Sequence, residues 1–373
     1  MMTDYNQLVA WRRYFHQHPE LSNEEINTTA KLQQILEEHD INILETPLKT
    51  GLVAEIGQGD QCIAIRSDID ALPINELVNH DFKSVKSDVM HACGHDIHMA
   101  SVLGTALQLK AIEGQLNGRV KIIFQAAEEL GYGALEVVNT GIVDDVSAIL
   151  GFHNYPSLNV GEFAIKSGVI TSAVDRFEFN IQGVGGHAAK PEQSNDPVIV
   201  LGQLINSIQS IVSRNISAFD EAVVTIGQVT SGSTWNVIAD QAYVQGTVRT
   251  FDANVRDLIE QRLQDIAQGL TAMFNATVTL NYTKLPGAVI NDQQLTDKAI
   301  QVAQEVGYNV NVMEEPLTIG EDFSGFSQQI PGVFAFIGSN SNYDLHHPQY
   351  DPDEMILKKV PSYFVNLVKQ LLV

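Results

Sequence analysis

Apolar residues recur at helical spacing at the start of the chain. Leu8, Val9, Trp11 and Phe15 mark a first helix, and Ile26, Leu32, Ile35 and Leu36 mark a second over residues 24–39. Short, nearly continuous apolar runs with turn residues at their ends follow. Residues 52–56, 62–66, 120–125, 147–152 and 332–338 read as strands, and their unbroken hydrophobicity predicts a sheet buried on both faces. Helical segments near 98–113 and 130–139 alternate with them, and another helix covers 292–306. That alternation is the α/β pattern.

The middle of the chain follows a different rhythm. Residues 173–182 alternate as a strand, 197–212 as a helix, 222–229 and 239–250 as strands, 253–274 as a helix and 276–282 as a strand. The order βαββαβ is the ferredoxin-like pattern. The expected organisation is therefore a discontinuous α/β domain, residues 1–171 and 284–373. A smaller α+β domain, residues 172–283, is inserted into it.

Composition narrows the function classes. The 373 residues carry a formal net charge of −23, which argues against a protein built to grip nucleic acid or an anionic membrane. No stretch approaches the ~20 apolar residues of a membrane span, and the first residues lack an apolar signal core. Cys62 and Cys93 are too few for a disulfide scaffold. The expected location is the cytoplasm, with reduced thiols.

Four of the predicted strands run into ligand-type residues. Residues 62–66 lead to Asp68 and Asp70, 120–125 to Glu128 and Glu129, and 147–152 to His153. Residues 332–338 lead through a short polar loop to His346 and His347. Ligands of open α/β sheets bind outside the carboxyl ends of strands. A fifth element is the run His91-Ala92-Cys93-Gly94-His95-Asp96-Ile97-His98. Cys93 and His95 would not share a helix face, but a tight loop at Gly94 lets them converge. Thiolate, imidazole and carboxylate together suit zinc, cobalt, nickel or manganese better than calcium or magnesium. Read without a metal, the run is a helix start with a buried Cys and polar caps.

The adjacent carboxylates Glu128 and Glu129 point in different directions, which suggests a division of labour. One can bind metal while the other acts as a general base; a solvated helix start is the competing reading. Asp68 and Asp70 fit either carboxylates that orient ligating imidazoles or a helix cap before Leu72. In the inserted domain, His187 follows the glycines of GVGGHAAKP. Asn236 and Arg249 stand at opposite ends of a predicted strand. Arg249 is a cation in an apolar strand and wants an anion, either a structural carboxylate or a substrate.

The stretches RRYFHQHPELS, RSDIDALPI, MHACGHDIHMA, FQAAEELGYGA, GFHNYP, GVGGHAAKP, NVIAD, GTVRT, GEDF and LHHPQYD occur in this order from Arg12 to Asp351. With them the chain resembles the two-metal amidohydrolases of the aminoacylase and carboxypeptidase clan. The narrower likeness is to the branch of auxin-conjugate hydrolases, bacterial N-acyl-amino-acid amidohydrolases and N-acetyldiaminopimelate deacetylases. The resemblance implies a mixed-sheet, metallopeptidase-like α/β catalytic domain with an inserted ferredoxin-like α+β lid domain. It implies two divalent metal ions, of zinc, manganese, nickel or cobalt, and five ligands. Cys93 would bridge, with His95 and Glu129 on one side and His153 and His346 on the other. The wider clan carries a His-x-Asp motif where this chain has Asp68-Ile69-Asp70. Asp70 is thereby expected to orient a ligand, and Asp68 has no assigned part.

By the same resemblance Glu128 would be general base and acid. His187, Asn236 and Arg249 would contact the carbonyl or carboxylate of the substrate, and a homodimer through the lid domain is allowed. The implied reaction is metal-dependent hydrolysis of the amide bond of N-acyl amino acids or small peptides. One alternative is an N-acetyldiaminopimelate deacetylase acting in lysine and cell-wall synthesis. Another is a non-catalytic metal or ligand-binding protein on the same scaffold.

Overall fold

The computed structural model describes residues 4–372, which divide into two compact units. The first comprises the described residues up to Ile170, Val289–Pro316 and the described residues from Asp322 onward. The second comprises Thr171–Ala288 together with Leu317–Glu321. The chain therefore returns to the first unit at Val289, five residues beyond the expected boundary, and the short segment Leu317–Glu321 joins the second.

The first unit is built on an eight-stranded mixed sheet. Its order is Asn42–Leu44, Leu52–Gly57, Arg119–Gln125, Cys62–Asp68, Ala148–Tyr155, Gly332–Gly338, Glu162–Ile165 and Asn309–Val312. Cys62–Asp68 pairs in parallel with both Arg119–Gln125 and Ala148–Tyr155, and Gly332–Gly338 pairs in parallel with Ala148–Tyr155. Every residue of Cys62–Asp68 and Gly332–Gly338 is buried, as their apolar runs predict. The parallel register sets Asp68 against Gln125 and His153 against Phe336. One edge of the sheet thus gathers the chain ends that lead to Asp70, Glu128, His153 and His346. Asn42–Leu44, Glu162–Ile165 and Asn309–Val312 are three or four residues long, too short for a period to register in the sequence.

Two helices differ from the predicted spans. His95–Ala111 starts three residues before the apolar pattern does. It is buried all round as far as Ala106, and its first turn can hold the polar residues His95, Asp96 and His98 because each finds a buried partner. The segment after Glu128 forms a short 3₁₀ turn, Glu128–Leu130, and the α-helix begins only at Gly133. Gly131, at φ +77°, ends the turn, and a Cβ at Gly133 would collide with the Ala126 carbonyl. No helix follows Asp70. Leu72 instead pairs with Met90 and closes the loop between them, so the cap reading of Asp68 and Asp70 is set aside.

The second unit is a four-stranded antiparallel sheet in the order Ala222–Ser231, Gln241–Thr250, Ala173–Gln182, Thr277–Lys284. Helices Pro197–Asn215 and Ala253–Phe274 complete the βαββαβ succession. Alternate residues of Ala173–Gln182, including Phe177, Phe179 and Ile181, pack with Val200, Leu204, Ile259 and Leu263 of the helices. The opposite face of that strand presents Arg176, Glu178 and Asn180. The Glu178 carboxylate accepts from Tyr243 at 2.7 Å and Asn281 at 2.9 Å.

Candidate metal centre

The run from His91 to His98 is shaped by the turn that opens helix His95–Ala111. Gly94 caps that helix at φ +82°, a left-handed conformation that glycine adopts without penalty. This turn aims Cys93 and His95 into one space. A Cβ at Gly94 would overlap the Asn154 amide and stand 2.8 Å from the Tyr350 hydroxyl. Two other segments of the centre also leave ordinary backbone. Ala127, directly before Glu128, has φ +56°, and His346 has φ +61°. Backbone of this kind persists where its surroundings over-determine it, and it clusters at functional sites.

The side chains meet in two groups that share Cys93. Ligand atoms of Cys93, His95 and His153 all lie within 4.8 Å of one another, and so do those of Cys93, Glu129 and His346. Cys93 Sγ is 3.4 Å from His153 Nε2, and His346 Nε2 is 3.3 Å from Glu129 Oε1. The expected pairing of His95 with Glu129 is met in a group with Glu128, whereas His153 and His346 do not fall in one group. His153, on a buried strand, falls with His95, while His346, on an exposed loop, faces Glu129. Glu128 stands in an overlapping group with His95 and Glu129.

The residues fit a cation-bearing centre. His95 Nε2 is buried and has no hydrogen-bond partner, although buried polar atoms are normally paired. Burial, then the carboxylates of Glu129, Glu128 and Asp68, push the Cys93 thiol well above its ordinary range. Burial would lower His95, but Asp68 and Asp70 outweigh it and raise the imidazole to about 10. Carboxylates crowded around a thiol and an imidazole call for positive charge at their middle, which divalent metal supplies and which lets the thiol ionise. Thiolate, imidazole and carboxylate are the donor set of zinc and its transition-metal neighbours.

A supporting layer surrounds these groups. The Asp70 carbonyl accepts His95 Nδ1–H at 2.9 Å. Its carboxylate takes the Ser22 hydroxyl at 2.6 Å and the Glu129 N–H at 3.0 Å. Asp70 therefore links two expected ligands. Asp68 accepts from Arg66 at 2.7 Å and from His98 Nδ1 at 2.6 Å. His98 Nε2 in turn accepts the Asn154 N–H at 2.9 Å, so both its nitrogens are committed. Asp68, His95 and His98 stand close together, yet His98 has no lone pair left for a metal. Asp322, in the GEDF stretch, accepts from Arg66 at 2.6 Å and from Gln125 at 2.7 Å. Sequence reasoning missed Arg66, His98 and Asn154; the signal was a polar residue inside an otherwise apolar element.

In the second unit the structure brings His187 and Asn236 together and leaves Arg249 apart. His187 pairs with Val237 in a two-stranded arm, and the Ala188 N–H donates to the Asn236 carbonyl at 3.2 Å. Both side chains are exposed. Arg249 lies near the far end of Gln241–Thr250, about 25 Å along that strand from Gln241, the end next to the arm, at ~3.3 Å per strand residue. It is half-buried and donates to Thr247 and to the Val248 carbonyl.

Comparison with known proteins places these features in context. The profile of Peptidase family M20/M25/M40 matches residues 64–370. A Bacillus subtilis (strain 168) protein named N-acetylcysteine deacetylase is 44% identical over 366 residues, 97% of this chain and 96% of its own. A second protein of that strain, N-acetyl-L-cysteine deacetylase, is 41% identical over 368 residues, 98% of this chain and 88% of its own. Among solved structures, a Bacillus subtilis protein described as a dinuclear metal binding peptidase of the M20 family matches with a TM-score of 0.87. It is 40% identical and covers 99% of this chain and 98% of its own.

Proposed function

We propose a substrate class for this chain, which belongs to peptidase family M20/M25/M40 and is a metal-dependent amidohydrolase: it hydrolyses the amide of N-acyl amino acids, N-acetyl amino acids foremost, and releases the free amino acid. The observation that carries the reading is the pair of ligand groups sharing Cys93, with Glu128 beside them. The deacetylase names of two relatives more than 40% identical point to the acetyl group.

Cys93, His95 and His153 would hold one divalent ion, and Cys93, Glu129 and His346 the other. When bound, such ions acidify water and polarise a carbonyl oxygen. Glu128 is half-buried, so its carboxylate keeps contact with solvent while facing the ligands. It accepts a proton as the oxygen of water bonds to the amide carbon. It returns that proton to the nitrogen as the C–N bond breaks, and the water's second proton ends on the released amine, which leaves a carboxylate and an ammonium.

His187 Nδ1 accepts the Ala189 N–H at 3.1 Å, so its proton sits on Nε2, free to donate to a carbonyl oxygen. Asn236 beside it offers a second donor. Arg249 has a guanidinium for the substrate carboxylate. Arg249 and the arm of His187 are tied to opposite ends of strand Gln241–Thr250, about 25 Å of strand apart, more than one small substrate spans. We assign the two ends to different copies of the chain, in a homodimer joined through the inserted domain. The long edge strand Ala222–Ser231, with Val223 and Val229 exposed, suits such pairing. Cys62 and Cys93 are both free thiols, which agrees with a reducing cytoplasm. Among the described residues no helix is long and apolar enough to cross a membrane.

A metal-reconstituted screen over N-acetylcysteine, N-acetylmethionine, N-acetyldiaminopimelate, an indole-acyl amino acid and a dipeptide tests the reading. The highest kcat/KM is expected for an N-acetyl amino acid. Preference for N-acetyldiaminopimelate or the dipeptide would replace the substrate class. Full turnover after exhaustive chelation would remove the metal from the reaction.

A further inference from the structure

We infer that Asn154 is the positioning residue of the centre: one buried side-chain amide ties the Cys93 turn to the strand of His153 and to the loop of His346. The inference rests on the reading of those three residues as metal ligands.

Asn154 is fully buried and follows His153 on strand Ala148–Tyr155. Every hydrogen-bonding position of its amide is used. Nδ2 donates to the Cys93 carbonyl at 2.8 Å and, at 3.0 Å, shares the one lone pair of His98 Nε2 with the backbone N–H of Asn154. The His98 nitrogen can only accept, because its other nitrogen gives its proton to Asp68. Oδ1 accepts the Ser339 hydroxyl at 3.0 Å and the Tyr350 hydroxyl. Two donors on one side and two acceptors on the other leave a single orientation for the amide.

These partners belong to separate parts of the centre. The Cys93 turn is reached through its thiol by His153 and through its backbone by Asn154. Tyr350 lies on the loop of His346, and the Tyr350 N–H donates to the His347 carbonyl at 2.9 Å. The His346 N–H itself donates to the Ala92 carbonyl at 2.9 Å, so that loop is fastened twice to the same turn. Cys93 is the residue both ligand groups share, so an error in its placement would reach both. Buried networks with every member paired are rigid. Groups that orient ligands typically control metal affinity or activity by about 10–100-fold.

The test titrates the metal-free protein with Co²⁺. It follows bound equivalents, the thiolate-to-cobalt absorption band of Cys93 and the unfolding midpoint without metal. Asn154→Asp keeps the shape but sets an oxygen against two acceptors, the Cys93 carbonyl and His98 Nε2. Its Co²⁺ affinity is expected to fall about 10–100-fold, with the thiolate band displaced or lost. Tyr350→Phe removes one hydroxyl and leaves Oδ1 with Ser339. It is expected to weaken the second Co²⁺ equivalent about 10-fold while the first binds as in wild type and the metal-free midpoint moves little. Wild-type affinity and band in both variants would overturn the inference. Should Asn154→Asp not fold, Tyr350→Phe decides alone: loss of the second equivalent supports the inference and wild-type binding overturns it. Failure of the ligand reading looks different. In that case wild type shows no thiolate band, or Cys93→Ser leaves Co²⁺ binding unchanged, and the inference falls with it.

Discussion

His346 Nε2 stands 3.3 Å from Glu129 Oε1, although the one belongs to an exposed loop near the end of the chain and the other follows strand Arg119–Gln125. The contact sets His346 in a different ligand group from His153. His346→Ala should therefore lose one metal equivalent and keep the one held by Cys93, His95 and His153. Metal analysis after dialysis measures this directly. Retention of two equivalents, or loss of both, would show that the groups are drawn wrongly.

Glu128 is assigned to proton transfer and Glu129 to binding. Glu128→Gln keeps the shape and removes the base. Its kcat should fall by about 10²–10⁴-fold, with metal content unchanged. Glu129→Gln should instead lower metal content first. If Glu128→Gln turned over like wild type with metal bound, the division of labour would be abandoned.

Gly94→Ala tests the turn itself. An L-residue in left-handed backbone costs roughly 1–2 kcal/mol, and here the new methyl also meets Asn154 and Tyr350. Urea unfolding of the metal-free variant should show at least that loss. Its metal affinity should drop as well, because Cys93 and His95 flank the substituted residue. Wild-type values in both measurements would mean that the turn relaxes freely.

His91 gives a pH signature. It is buried, and neither ring nitrogen has a hydrogen-bond partner. Burial lowers its imidazole from 6.5 to about 4. The unfolded chain takes up this proton near its ordinary value, whereas the folded protein does so only near the depressed one. Stability from this group is thus fully present above about 6.5 and is lost as the pH falls towards about 4. The whole loss is about 3 kcal/mol. His91→Leu should remove it, so the variant's unfolding free energy should decline less between neutral pH and pH 4.5. Equal slopes in the two proteins would show that His91 does not carry this titration.

Much of the scaffold was legible because the signals are local. The apolar runs at Cys62–Asp68 and Gly332–Gly338 report burial on both faces within a few residues. The helix start at His95 was legible only as one of two readings of the run. A polar first turn looks like a loop until Arg12 is found 2.8 Å from Asp96, and Asp68 2.6 Å from His98. Asp68 had no assigned part for the same reason: Arg66 and His98, which hold it, meet only after folding.

By itself the sequence picked out the candidate site residues and the strands that lead into most of them. Residue type and short-range spacing suffice for that. Only the tertiary structure decided how they group. The parallel strand Cys62–Asp68 lies between Arg119–Gln125 and Ala148–Tyr155, and Gly332–Gly338 lies beyond them. That order sets His153 with His95 and His346 with Glu129. It depends on crossover connections and long-range pairing, which a local apolar period does not encode. The second unit shows the same division. Its βαββαβ order can be read along the chain, but the separation of Arg249 from His187 and Asn236 follows from the run of one strand across its sheet.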